Sequence, residues 1–166
     1  MFSRLHPIDL SLFFEDRTYK PGETVHVTVE LTPCMNVKVR DGRLEFICEE
    51  SYERIYTFTR TQGNAMSTAS GAGVSPLPSA DVTEEGSQQR KESFVRSSVT
   101  FLSDARLLSG TSRKYHVELA IGDEPPRHTF DPTVTKASVK WTLVARLDVA
   151  KARNAIEREP VQVRWS

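Results

Sequence analysis

The residues of this chain that could do chemistry are four histidines, two cysteines and a scatter of carboxylates. His26 and Glu30 stand on one side of an alternating run, and His116 and Glu118 on one side of another. If those two strands were neighbours, imidazoles and carboxylates would gather as they do around a transition metal. A solvated sheet face accounts for the same four residues and is the reading adopted. Cys34 and Cys48 could pair, but Cys48 falls on the apolar side of a strand pattern. Two cysteines are too few to imply an oxidising compartment. There is no Cys-x-x-Cys, no His-Glu-x-x-His and no Gly-rich phosphate loop, and nothing marks a nucleophile elbow. No catalytic residue, metal ligand or cofactor site is therefore assigned, and the expectation is a protein that is not an enzyme.

The charged side chains point to partners rather than to reactions. Lys+Arg and Asp+Glu are equal at 22 each, which argues against general binding to a phosphate backbone. Asp41, Glu49, Glu50 and Glu53 suggest an acidic edge, either solubilising or attractive to a basic segment. Arg90-Lys91, Arg96 and Arg113-Lys114 flank strand patterns without interleaved aromatics, so no nucleic-acid partner is expected. Trp141 reads as core, and Trp165 as a terminal aromatic packed on an edge or on a further domain. No apolar run is long enough to cross a bilayer and no basic-then-apolar leader opens the chain, so a cytoplasmic protein is expected.

The elements that must carry these residues are strands. Ile8, Leu10, Leu12 and Phe14 alternate with other residues, and so do Val25, Val27, Val29 and Leu31. Between them Tyr19-Lys20-Pro21-Gly22-Glu23 predicts a type II turn, with Pro21 at i+1 and Gly22 at i+2. Val37 and Val39, then Leu44, Phe46 and Cys48, continue the pattern. Asp41-Gly42 between them reads either as a turn or as a bulge within one long strand. Ile55, Tyr56 and Phe58 suggest a further strand.

Thr61–Gln89 is rich in Gly, Ser, Ala and Thr and holds no aromatic, so a long flexible loop is predicted across 61–89. Beyond it Phe94–Leu102 reads as a strand with Val95, Val99 and Phe101 in the core. Ser103–Thr111 reads as a connection. Tyr115, Val117, Leu119 and Ile121 alternate clearly, as do Val139, Trp141, Leu143, Ala145, Leu147 and Val149. A short helical turn is predicted at Ala150–Glu157, ended by Pro160, and a last strand through Val161, Val163 and Trp165. Eight or nine strands with one-sided alternation predict an all-β fold: a two-layer antiparallel β-sandwich of immunoglobulin-like architecture. The roughly sixty residues before the loop hold too few strands for a sandwich of their own, so residues 1–166 are read as one domain.

Three stretches carry a resemblance to a known family. Tyr19–Leu31, "YKPGETVHVTVEL", resembles a turn-and-strand motif of Pro-Gly and Glu before a valine-rich strand. Leu108–Pro126, "LSGTSRKYHVELAIGDEPP", resembles a Gly, an aromatic, an apolar strand and a Pro-rich turn. Ala137–Val149, "ASVKWTLVARLDV", resembles the long strand that follows. In this order they resemble the N-terminal domain of the arrestin-like fold, the group of arrestins, α-arrestin adaptors and the sporulation-control and vacuolar-sorting relatives. The resemblance implies a sandwich that binds proteins, in trafficking, sorting or signalling, and does no catalysis. Full arrestins have two such domains, and this chain has room for one.

The departures are informative. Where phosphate-reading arrestins carry a lysine pair, Phe13-Phe14 is followed here by Glu15-Asp16, which would repel phosphate. The turn offers no Asp to match the arrestin polar core. Pro125-Pro126 runs into Arg127-His128, so the ligase-recruiting Pro-Pro-x-Tyr element is missing. Partners are expected to be other proteins or peptides, engaged by edge-strand addition or through 61–89. The alternative is a structural domain that self-associates through its sheet edges as a homo-oligomer.

Overall fold

Alternating burial along the strands follows the alternating sequence. The computed structural model of the chain describes residues 6–61, 81–127 and 131–165. Eight strands succeed one another among these residues: β1 (Ile8–Phe14), β2 (Thr18–Tyr19), β3 (Thr24–Pro33), β4 (Val37–Thr61), β5 (Asp81–Leu107), β6 (Arg113–Ala120), β7 (Val134–Val149) and β8 (Ala155–Val163). They form a three-stranded sheet, β1-β3-β6, and a five-stranded sheet, β2-β8-β7-β4-β5. The result is a two-layer all-β sandwich, antiparallel except for the short parallel pairing of β2 with β8.

The inner faces meet in two adjoining clusters. One gathers Val25, Val27 and Val29 of β3, Phe46 of β4, Val117 and Leu119 of β6, and Trp141 and Leu143 of β7. The other gathers Ile8, Leu31, Val39, Leu107, Leu147 and Ala155. Residues from before and after the 61–89 stretch share both. Phe46 stacks on Trp141 with centroids 5.1 Å apart, and Trp141 on Trp165 at 5.5 Å. Trp141 is core, as its place in the alternation predicts.

The Tyr19–Glu23 turn forms as its residues require. Gly22 has φ +83° and the Glu23 amide donates to the Lys20 carbonyl at 3.2 Å. The Glu23 carboxylate accepts from the Lys20 amide at 2.7 Å and from Arg17 at 3.1 Å, closing the turn with its own side chain. Tyr19 is not merely a turn residue. It leaves the first sheet, pairs with Val163 of the second and buries its ring, with the hydroxyl donating to the Glu15 carbonyl at 2.7 Å.

One open alternative is decided and four expectations are corrected. Asp41-Gly42 lies inside one long strand, with register shifts at Gly42/Arg43 and Phe46/Ile47. Leu102 and Leu147 occupy the space a Cβ on Gly42 would need, so this glycine serves close packing rather than a turn. The predicted loop 61–89 is strand at both ends: Thr61 closes β4, and Asp81–Gln89 pairs residue by residue with Glu53–Thr61. Its remainder, 62–80, lies outside the described residues. The Ser103–Thr111 connection is strand as far as Leu107, because Val37 and Val39 extend the ladder opposite Leu107 and Ala105. Leu107 is buried there and Leu108 is exposed. Ala150–Glu157 forms no helical turn. Lys151 enters the left-handed region at φ 58°, the Asn154 side chain accepts from the Val149 amide at 3.1 Å, and β8 starts at Ala155. Pro160 sits within β8 opposite Thr142, where β2 does not reach. Finally, Val95 is not core but 57% exposed, whereas Val99 and Phe101 pack against the interior.

Candidate protein-binding surface

The outer face of the smaller sheet brings together the residues with metal-binding potential. β3 and β6 are neighbours, and the ladder sets His26 opposite Glu118, Thr28 opposite His116 and Glu30 opposite Lys114. His26 Nδ1 lies 3.5 Å from Glu118, with both side chains about three-quarters exposed at 74% and 73%. The His116 ring bonds Thr28 at 3.1 Å, so the two histidines are engaged separately. Among the described residues no three His, Cys, Asp or Glu side chains converge to hold a metal ion. The cysteines are both free. Cys34 is exposed with Sγ 3.8 Å from Asp9, and Cys48 is buried with its thiol pushed up to about 11, chiefly by burial.

The expected acidic edge does not form. β4 is an inner strand, flanked by β7 and β5. Asp41 pairs with Arg43 at 3.2 Å, Glu49 with Lys91 at 4.0 Å and Glu53 with Lys136 at 3.3 Å, while Glu50 is buried. Arg43 on β4 itself, and Lys91 and Lys136 from the neighbouring strands, thus take up the charge that the linear sequence leaves open. The basic residues are dispersed as well. Arg96 spans the layers, donating to the Glu124 carbonyl and lying 5.7 Å from the Trp141 ring. Arg113 and Lys114 line β6, and Arg90 and Lys91 line β5.

What the topology does leave open is a seam. Among the described residues β1 pairs only with β3, and β8 meets β2 only at Gln162 and Val163. The free side of β1 therefore lies beside the free side of Ala155–Pro160. Between them runs a groove of about 460 Å³ lined by Ile8, Leu10, Ala155 and Ile156, with Asp9 and Glu157 along it. Ile8 and Ala155 form its buried floor, while Ile156 is 47% exposed on its wall. Strand edges left free beside a groove of mixed polar and apolar lining suit an added strand, to which the backbone supplies the hydrogen bonds. No periodicity within β1 or β8 signals this groove, because it arises from how the sheets stack.

No family model matches the sequence, and no curated protein matches it. Solved structures do match, among them the crystal structure of Spo0M, a sporulation control protein from Bacillus subtilis. The fold resembles that of part of Spo0M. The TM-score is 0.62 at 13% identity, over 96% of this chain and 50% of Spo0M, so the chain spans about half of the Spo0M length. At that identity the likeness is one of architecture alone. Spo0M therefore bears on how the strands are arranged, while side-chain chemistry must be argued from this chain alone. Among the described residues no helix is long and apolar enough to cross a membrane.

Proposed function

We propose that this chain is a non-enzymatic protein-binding adaptor domain of arrestin type, acting in the cytoplasm as one unit of 166 residues. It takes an extended partner segment as an added strand in the β1/β8 groove. The observation that carries this reading is the pair of strand edges left free among the described residues on either side of the groove lined by Ile8, Asp9, Leu10, Ser11, Ala155 and Ile156. The two histidines of the outer face are engaged separately, His26 beside Glu118 and His116 beside Thr28, which favours a binding domain over a site of convergent donors. A trafficking, sorting or signalling role belongs to the same proposal and rests on the sequence resemblance to the arrestin-like group.

Panning a random extended-peptide library against the whole chain tests it. Enriched peptides should lose binding to the Ile156→Lys variant, which places a charge on the groove wall without touching the core. Hydrogen exchange should slow in 8–14 and 155–160 when such a peptide binds. Peptides that bind Ile156→Lys as well as wild type, or a library with no enrichment, would overturn the reading.

A further inference from the structure

Among the described residues, the far end of the larger sheet carries a second open edge, with an unusual order of charge. β7 accompanies β4 only as far as the Arg54–Val134 pair, so beyond it β4 and β5 continue as a two-stranded ribbon. β5 is the last strand of its sheet. Along this edge the sequence runs Glu84-Glu85-Gly86-Ser87-Gln88-Gln89-Arg90-Lys91: two acids, four uncharged residues, two bases. Glu85, Ser87, Gln88, Gln89, Arg90 and Lys91 are exposed. A two-stranded ribbon is marginal in water, and its free edge is open to a further strand whose charges complement its own.

A strand with acids at its start and bases at its end is complementary to itself when reversed. In a two-fold antiparallel pairing the axis passes where a residue meets its own copy. Centred on Ser87, that pairing sets Glu84 opposite Arg90 of the second copy and Glu85 diagonal to its Lys91. The symmetry repeats both contacts. Directly opposed charges then all differ in sign, and both members of each pair share a face of the sheet. Gly86 meets Gln88 across the axis, and the Tyr56 ring that covers Gly86 adds its exposed edge. A parallel in-register pairing would instead lay acid on acid and base on base. Glu92, further along β5, is hydrogen-bonded with the Tyr52 hydroxyl of β4.

We propose that the β5 edge around Ser87 is a homodimer interface, joining two five-stranded sheets into one through antiparallel β5 strands. It goes beyond the adaptor reading and uses a different edge, leaving the β1/β8 groove of each copy open. Sedimentation of the full chain over a wide concentration range, at low salt and at about 0.5 M salt, tests it. The expected result is a monomer–dimer equilibrium weakened by salt. Glu84→Arg and Arg90→Glu should each weaken it by about tenfold or more, since each opposes like charges across the axis. The double variant should restore it, and so should an equal mixture of the two single variants. That rescue separates charge complementarity from damage to folding. A strict monomer, a dimer indifferent to both reversals, or a dimer lost on Ile156→Lys would overturn the proposal.

Discussion

Gly22 and Gly42 each follow a turn-favouring residue, yet the structure gives them opposite reasons to be glycine, and substitution separates the two. Gly22 has φ +83°, so an alanine there costs about 1–2 kcal/mol of backbone strain. Its Cβ would lie 2.8 Å from Asp123 Oδ1, a side-chain tip that can swing away. Asparagine tolerates positive φ, so Gly22→Asn should be milder than Gly22→Ala. Gly42 has no positive φ. A Cβ there would meet Leu102 Cβ at 2.9 Å, Leu147 Cδ2 at 3.0 Å and Phe101 Cε2 at 3.2 Å. Overpacking of this kind costs about 1–3 kcal/mol. The loss of glycine's freedom in the unfolded chain offsets about 0.4–1 kcal/mol of it. Gly42→Ala should therefore destabilise by about 1–2 kcal/mol.

Gly42→Asn should be worse, at about 3 kcal/mol or more, because it adds volume and buries an amide without partners. At about 2–4 °C per kcal/mol for a domain of this size, Gly42→Asn should lower Tm by about 6–12 °C. Urea unfolding followed by the fluorescence of the stacked Trp141 and Trp165 reads all four variants. If asparagine is tolerated at 42 as well as at 22, residue 42 sits in a turn, β4 is two strands, and the reasoning fails.

Two further outcomes follow from the turn and the thiols. The Glu23 carboxylate is held below its ordinary range by the Lys20 amide and then by Arg17. A lowered folded value means that its stabilisation is present above the unfolded carboxylate range and disappears as pH falls through the folded value. Thermal unfolding against pH should therefore show wild type more stable than Glu23→Gln at neutral pH, with the gap closing in acid; a gap independent of pH would refute the role given to Glu23. Native protein should expose one thiol to a disulfide reagent, Cys34. The second, Cys48, should react only on unfolding, because its thiol is buried and raised to about 11. Two fast-reacting thiols would show that the β4–β7 interior opens.

Much of the core is legible in the alternation of apolar residues. Val27, Leu119 and Leu143 sit at alternating positions in the sequence and are all buried. Tyr19-Lys20-Pro21-Gly22-Glu23 folds as its φ requirements dictate. The failures share a cause. Asp81–Gln89 is polar and poor in apolar residues, so it reads as loop, yet it is strand because Glu53–Thr61 pairs with it. Ala150–Glu157 has a weak helical stripe, but pairing of Ala155 with Leu147 takes its residues into β8. Val144 shows the same limit. Lys140, Thr142 and Arg146 make its side of β7 read as mostly polar, yet Val144 and Thr142 are both buried, with Glu45 and Arg158 flanking Val144 on the adjacent strands.

The candidate surfaces are less legible than the core. An acidic edge read from Glu49, Glu50 and Glu53 vanishes once Lys91 and Lys136 come across from β5 and β7. The β1/β8 groove joins segments almost 150 residues apart, which no local window can relate. Alternation is a property of each strand by itself, so the sequence alone determined the buried side of strands such as β3 and β6, and hence an all-β sandwich. Pairing, stacking and the edges left over depend on contacts between distant segments. Only the tertiary structure decided where Tyr19 crosses between sheets, which charges neutralise one another and which strand edges stay open.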